Sequence, residues 1–493
     1  MNILQASGEV FPYSKTGGLA DMVGALAKAL AQEGHEVGVV TPLYRGIRAK
    51  FPLQETDIIL DLPLGPGRAQ ARVFTHTPHP RHTIYFIDRP EFYDRPALYA
   101  ESNVDYPDNA ARFTFLAKCV AHLARTLTPQ PEVVHVHDWQ VALVPALVRD
   151  LAMRDGSRPP HTVLTIHNLA YQGNFGREAY ALTNLPWEYF TPEGVEFYGG
   201  LNCLKAAIVY ADQITTVSPR YAREITTEEF GCGLDPVLRA RQHKLTGILN
   251  GVDYDEWRTS RNPHLRHAFT PRNLAGKIEC KLDLQRELGL PMRADVPLFA
   301  TVTRLADQKG VDILLAALEE MLAIDLQFVI LGSGDPALQR GYQNLARRYP
   351  TKAVARIGYD HALSHRIEAG CDFFLMPSRF EPCGLNQMYS LRYGAIPIVR
   401  RTGGLDDSVV DLTENDELAD GIKFTEFTSR ALAGAIRKAL VLFRTPELFT
   451  QMRKNGMAAD FSWDRTTVEY EKVFRQALAG QLRFDCGLPG EAT

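Results

Sequence analysis

Several short segments of this 493-residue chain combine residue types that hold sugars and phosphates, and each follows a run of apolar or β-branched residues. The first is Lys15-Thr16-Gly17-Gly18-Leu19. Two residues without Cβ let the backbone come close to a ligand, a helix starting there offers free N–H groups and a partial positive charge, and Lys15 adds a full one. Asp21 falls in the first turn of that helix, where a carboxylate is favoured electrostatically. The next two are His135-Val136-His137-Asp138-Trp139 and Thr165-Ile166-His167-Asn168. Their polar and aromatic groups suit sugar hydroxyls and the apolar face of a pyranose. Histidines at alternate strand positions also suit a metal, but no third ligand at metal spacing accompanies His135 and His137, so no metal is expected.

In the second half, Arg304 and Lys309 share one short segment ahead of a helix beginning near Val311. A guanidinium fork and an ammonium point charge together make a diphosphate clamp. Glu381 stands in Pro377-Ser378-Arg379-Phe380-Glu381-Pro382-Cys383-Gly384-Leu385, just before a glycine-started helix. There it can accept sugar hydroxyls while the Gly384 and Leu385 N–H groups face phosphate. Arg401-Thr402-Gly403-Gly404-Leu405 offers a second set of backbone donors. Any one of these segments also reads as a plain turn or a solvated basic loop. Their joint occurrence argues for a site.

The elements that must position them alternate between short strands and longer helical patterns in both halves, which predicts parallel sheets wrapped by helices. Strands are predicted at 2–7, 37–42, 133–137, 162–167, 213–218 and 245–249. A second series is predicted at 297–303, 327–331, 354–357, 373–376 and 397–400. Leu19, Met22, Val23, Leu26, Ala27 and Leu30 recur at helical spacing between the first two strands, with Gly34 as the stop. The boundary is placed near Gly251, giving domains at 1–250 and 251–460, a final helix from 461 and a frayed tail, Cys486 to Thr493. Two open α/β sheets facing a cleft would hold a ligand beyond the carboxyl ends of their strands.

Composition excludes other classes. Hydrophobic residues make up 45% and charged residues 23%, ordinary values for a folded globular protein. Lys and Arg number 54 against 58 Asp and Glu, a near balance that gives no field for nucleic acid or an anionic membrane, so neither is expected as a partner. No run reaches the roughly 18 apolar residues that span a bilayer, and the start reads as a strand, not a leader, so a cytoplasmic location is expected. The seven cysteines are scattered without a Cys-x-x-Cys pair, and they read as reduced core residues.

Taken in order, Lys15 to Leu19, His137-Asp138-Trp139, His167-Asn168-Leu169-Ala170-Tyr171-Gln172-Gly173, Leu249-Asn250-Gly251-Val252-Asp253, Arg304 with Lys309, Glu381 to Leu385 and Thr402 to Leu405 resemble the bacterial glycogen synthase and plant starch synthase family. The match runs from residue 1 to about 479. It implies the glycosyltransferase B architecture, with two Rossmann-like doubly wound domains facing a cleft and a C-terminal helix returning to the first. The implied reaction is retaining transfer of glucose from ADP-glucose to the non-reducing end of an α-1,4-glucan such as glycogen, with no required metal and no cofactor.

The resemblance also implies site roles. Lys15, Gly18 and Asp21 belong to the donor and sugar site, His167 and Asn250 contact the glucose, and Asp138 lies near the transferring carbon and acceptor. Arg304 and Lys309 take the diphosphate, Tyr359 the adenine face and Glu381 the glucose hydroxyls, with Cys383, Gly384, Leu385, Thr402, Gly403 and Gly404 also in the substrate site. Gln140 departs from the His that many relatives carry. Two other readings stand beside this one: a related glycosyltransferase using UDP-glucose, and a non-catalytic glucan-binding scaffold. A diphosphate clamp argues against the second, because holding polymer alone does not require one.

Overall fold

The computed structural model describes residues 1–101 and 104–480; the predicted frayed tail lies outside them. The chain divides into two compact units. One holds Met1–Val217, Ala222–Gly251 and the described residues from Trp463 onward, and the other holds Ser218–Tyr221 and Val252–Ser462.

Among the described residues the first unit carries a nine-stranded sheet. Its lateral order is Leu245–Gly247, Gln213–Thr216, His161–Ile166, Val133–His137, Asn2–Ala6, Glu36–Pro42, His82–Asp88, Gly67–His79 and Gln54–Leu64. The first seven are parallel, and the last two add an antiparallel hairpin at the edge. Val133–His137 and His161–Ile166 are buried throughout, as strands covered on both faces must be. Helix Gly18–Gln32 buries Leu19, Met22, Val23, Leu26 and Leu30 on one stripe. It ends where Gly34, at φ 92°, donates its N–H to the Ala31 carbonyl and His35 donates to that of Leu30. Helix Trp463–Ala479 packs into this unit, setting Tyr470 and Phe474 against the His135 ring.

The sequence reading missed the hairpin and strand His82–Asp88. Gln54–Leu64 alternates exposed and half-buried positions along most of its length, so no continuous apolar run marks it. Its polar, exposed edge also discourages pairing with another chain.

The second unit has six parallel strands among the described residues, ordered Ala353–Ile357, Gln327–Gly332, Leu298–Val302, Phe373–Met376, Ile396–Arg400 and Ile422–Phe424. Period-two alternation feeds two cores, one on each face. Phe299, Phe328, Ile330, Phe373, Leu375, Ile396 and Ile398 pack on one side, and Leu298, Ala300, Val329, Leu331, Phe374 and Val399 on the other. The three-residue strand Ile422–Phe424 is too short for a sequence pattern and was also missed.

Both sheets reverse direction in the same way. In chain order the second unit reads 3-2-1-4-5-6, and the parallel strands of the first unit read 7-6-5-4-1-2-3. The reversal falls between the first and fourth parallel strands of each sheet, and there the strand exits diverge and leave room for a ligand. In the first unit these exits lead into Ser7-Gly8-Glu9 and Asp138-Trp139. In the second they lead into Thr303-Arg304 and Pro377 to Glu381.

Candidate active site

At the reversal of the first sheet, Asp138 closes strand Val133–His137 with φ 57°, a left-handed conformation that costs a non-glycine residue about 1–3 kcal/mol. Its N–H donates to the Thr165 carbonyl at 3.0 Å, and its Oδ1 accepts the His167 N–H at 2.7 Å, so it ties two neighbouring exits together. Burial pushes its carboxyl up to about 7, against the pull of the His167 and Asn168 N–H groups, and the charge of Glu9 pushes the same way.

Glu9 is a buried acid that the sequence reading passed over. It accepts the Thr16 hydroxyl at 2.9 Å and also the Thr16 N–H, which pins the Lys15 to Leu19 loop. Burial raises its carboxyl too, with Asp21 adding to the effect. Its signal was position: an acid two residues past the first strand exit. Tyr99 and Gln140 belong with it, because a Cβ on Gly8 would meet Tyr99 Oη and Gln140 Cγ, each at 2.9 Å.

His137 Nδ1 and His167 Nε2 share a hydrogen bond at 3.1 Å, and His135 Nε2 meets Thr165 Oγ1 at 2.6 Å. Burial holds all three imidazoles well below their ordinary range, His135 and His167 at about 3, so they stay neutral at physiological pH. Asn250, also in this unit, is buried with an unpartnered Oδ1. Lys15 pairs with Asp21 at 2.7 Å in a partly exposed loop. Neither Gly17 nor Gly18 has positive φ, and a Cβ on either would meet no atom within 4 Å. Internal packing therefore does not explain these glycines.

At the reversal of the second sheet, Lys309 Nζ lies 2.6 Å from Glu381 Oε2, which also accepts the Ser378 hydroxyl at 3.0 Å. Both are largely buried, with 19% and 7% of their side chains exposed. Gly310, at φ 63°, lets the two loops close, since a Cβ there would strike the Pro377 carbonyl at 2.0 Å. Gln308 adds bonds to Phe380 O and Arg379 N–H. Arg304 is exposed and makes no ion pair or side-chain hydrogen bond among the described residues. The Gly384 and Leu385 N–H groups have no acceptor there either, although the helix itself starts only at Asn386. Tyr359 is 77% exposed, with its hydroxyl 3.4 Å from His361 Nδ1.

The backbone donors expected of the Thr402-Gly403-Gly404 segment are spent within the chain. Thr402 donates to the Arg400 carbonyl, Gly404 to those of Glu381 and Pro382, and Leu405 to that of Thr402. A Cβ on Gly403 would lie 2.0 Å from Glu381 O, and one on Gly404 2.1 Å from Cys383 O. These glycines let one loop back the other instead of presenting a row of open donors to phosphate. Ser218 Oγ braces the same loop from its other side, donating to Pro382 O at 2.7 Å.

The first unit thus carries buried imidazoles and carboxyls, and the second carries a buried ion pair with an exposed arginine on the same loop. Residues 2–240 match the family described as starch synthase catalytic domain, and residues 289–457 match glycosyl transferases group 1. A glycogen synthase from Anaeromyxobacter dehalogenans (strain 2CP-C) is 48% identical over 481 residues, covering 96% of this chain and 99% of that protein. Glycogen synthase 1 from Geobacter sulfurreducens is 44% identical, with 98% and 97% covered. Among solved structures, the catalytic domain of starch synthase IV from Arabidopsis thaliana bound to ADP and acarbose is similar with a TM-score of 0.88 and 32% identity, covering 97% of this chain and 99% of that one. The chain belongs to the glycogen and starch synthase family of glycosyltransferases.

No helix among the described residues is long and apolar enough to cross a membrane.

Proposed function

We propose that this enzyme transfers glucose, with retention of configuration, from ADP-glucose to the non-reducing end of an α-1,4-glucan, elongating glycogen. The observation that carries this reading is the Lys309–Glu381 pair at the sheet reversal of the second unit, with Arg304 unpaired on the same loop as Lys309. Breaking the bond from C1 to the diphosphate leaves negative charge on the leaving group. Arg304 and Lys309 offset that charge, and the Gly384 and Leu385 N–H groups add partial ones. Glu381 accepts glucose hydroxyls, Tyr359 offers its exposed ring to the adenine, and Lys15, Gly18 and Asp21 contribute to donor and sugar binding. Cys383 and the Thr402-Gly403-Gly404 turn support the Glu381 loop.

His167 and Asn250 hydrogen-bond the glucose, and Asp138 serves the acceptor. A carboxyl that titrates near 7 and already accepts the His167 N–H suits hydrogen bonding to a hydroxyl better than attack on C1. We therefore favour a front-face reaction. The bond from the acceptor oxygen to C1 forms as that from C1 to the diphosphate breaks, and the acceptor proton passes to a diphosphate oxygen.

The test is incorporation of labelled glucose into glycogen from ADP-glucose and from UDP-glucose, with and without a chelator. ADP-glucose is expected to be the better donor and the chelator without effect on turnover. Preference for UDP-glucose would overturn the donor assignment, and a glucosyl-enzyme ester seen by mass spectrometry would overturn the front-face route.

A further inference from the structure

One nitrogen from each of His264, His361 and His365 lies within 4.8 Å of the others. We propose that these three histidines form a binding site for a divalent transition metal of the zinc type, separate from the transfer chemistry.

His361 and His365 stand four apart on helix His361–Gly370, so they share one face. The third comes from the loop after Val252. His365 is fully buried; its Nδ1 bonds Tyr393 Oη at 2.8 Å, while its Nε2 has no hydrogen-bond partner. A buried imidazole nitrogen left unpaired costs free energy unless something takes its lone pair. Tyr393 Oη accepts the Asn262 side-chain N–H at 2.8 Å and has a second lone pair for His365 Nδ1–H, the tautomer that frees Nε2 to coordinate.

The surroundings hold the ligands in place, as partners behind metal-binding histidines do. Asn262 Oδ1 accepts the His264 N–H at 2.8 Å, so one side chain anchors both the His264 loop and the tyrosine behind His365. Trp257 stacks on His365 at 4.0 Å and fixes the ring plane. Glu256 Oε1 lies 3.3 Å from His361 Nε2, placed either to accept from that ring or to complete the shell. The nearby charge of Arg366 is met by Glu287 in a two-bond pair at 2.8 Å.

Tetrahedral zinc with imidazole nitrogens at about 2.0–2.1 Å needs those nitrogens about 3.3 Å apart. The nitrogens now lie within 4.8 Å of one another, so the more exposed rings, His361 and His264, must turn inward toward His365. Three imidazoles without thiolate select Zn²⁺, Co²⁺ or Ni²⁺ over Mg²⁺ or Ca²⁺. Binding would join the start of helix His361–Gly370 to the His264 loop, two residues from Tyr359.

The experiment titrates the metal-free full-length protein with Zn²⁺ against a chromophoric chelator and records the visible spectrum with Co²⁺. One equivalent is expected to bind at micromolar or tighter affinity, with tetrahedral d–d bands and no thiolate charge-transfer band. His361→Ala and His264→Ala keep the buried stack intact. Each should weaken binding by more than the roughly 10- to 100-fold that loss of a partner behind a ligand costs, and Tyr393→Phe by about that amount. Substoichiometric binding, a thiolate band, or unchanged affinity in His361→Ala or His264→Ala would overturn the site.

Discussion

At the strand exits of the first unit the buried groups are three imidazoles and two carboxyls that burial pushes toward their uncharged forms, whereas the second unit sets a buried lysine–glutamate ion pair there. His135, His137 and His167 are held uncharged by burial, and Asp138 and Glu9 are pushed toward protonation. Lys309 and Glu381 instead face each other as an ion pair, with Arg304 exposed on the same loop as Lys309. Two sheets with the same strand reversal thus present different chemistry. Neutral donors and acceptors in a dry site discriminate hydroxyl geometry, and a charged set answers a leaving group whose charge grows during reaction.

The largest expected effect breaks the charged side. Glu381→Gln keeps shape but removes the charge that holds Lys309, so turnover should fall by about 100- to 1000-fold or more with the fold retained. Activity within about two-fold of the parent would mean the carboxylate only braces the loop.

Lys309→Ala should cost on the order of 100-fold, mainly in kcat, because its target gains charge in the transition state. Arg304→Ala should behave similarly, since both residues answer the same diphosphate. Lys309 and Glu381 touch at 2.6 Å, so their double variant should lose much less than the product of the single losses. Arg304 with Lys309 should show a weaker shortfall, carried only through shared substrate. A rise confined to KM in Lys309→Ala would make it a docking charge.

On the neutral side the readout is stability against pH. A free Asp carboxyl titrates near 3.9, and burial moves Asp138 to about 7. Between these values the folded state keeps a proton that the unfolded state releases, so the contribution of Asp138 falls as pH rises through that window. Asp138→Asn keeps an acceptor for the His167 N–H but cannot ionise. Relative to the parent it should gain about 2–3 kcal/mol between pH 5 and pH 8, measured from denaturation midpoints at each pH. A parallel pH dependence in the two proteins would show that Asp138 is ionised throughout.

The same contrast explains what the sequence made legible. Strands buried on both faces, such as Val133–His137 and Phe373–Met376, write themselves as apolar runs, and the exits follow from them. The Gln54–His79 hairpin does not, because its exposed faces dilute the pattern. Ser218–Tyr221 belongs to the second unit through Ser218 with Pro382 and Arg220 with Asp406, pairings 164 and 186 residues apart that no local pattern encodes. Gly403 and Gly404 looked like a phosphate turn because sequence shows glycine without showing what lies above it. Glu9 went unseen because one acid beside a glycine has no motif of its own, and only folding brings it under the influence of Asp138 and Asp21.

The smallest expected effect tests that last ambiguity where it points the other way. Gly18 opens helix Gly18–Gln32, its φ is not positive, and a Cβ would meet nothing within 4 Å. Gly18→Ala should therefore stabilise the protein by about 0.4–1 kcal/mol, since alanine loses less backbone entropy on folding and favours the helix. If the empty space above the glycine is where donor or sugar approaches the backbone, the same methyl should raise KM for ADP-glucose several-fold while the melting temperature rises. Opposite signs in one variant cannot come from a damaged fold. A stabilised protein with unchanged KM would make Gly18 an ordinary helix start, and a destabilised one would mean that the helix needs glycine there for its own sake. Gly404→Ala is the control from the charged side: its Cβ would fall 2.1 Å from the Cys383 carbonyl, so it should lower melting temperature and activity together.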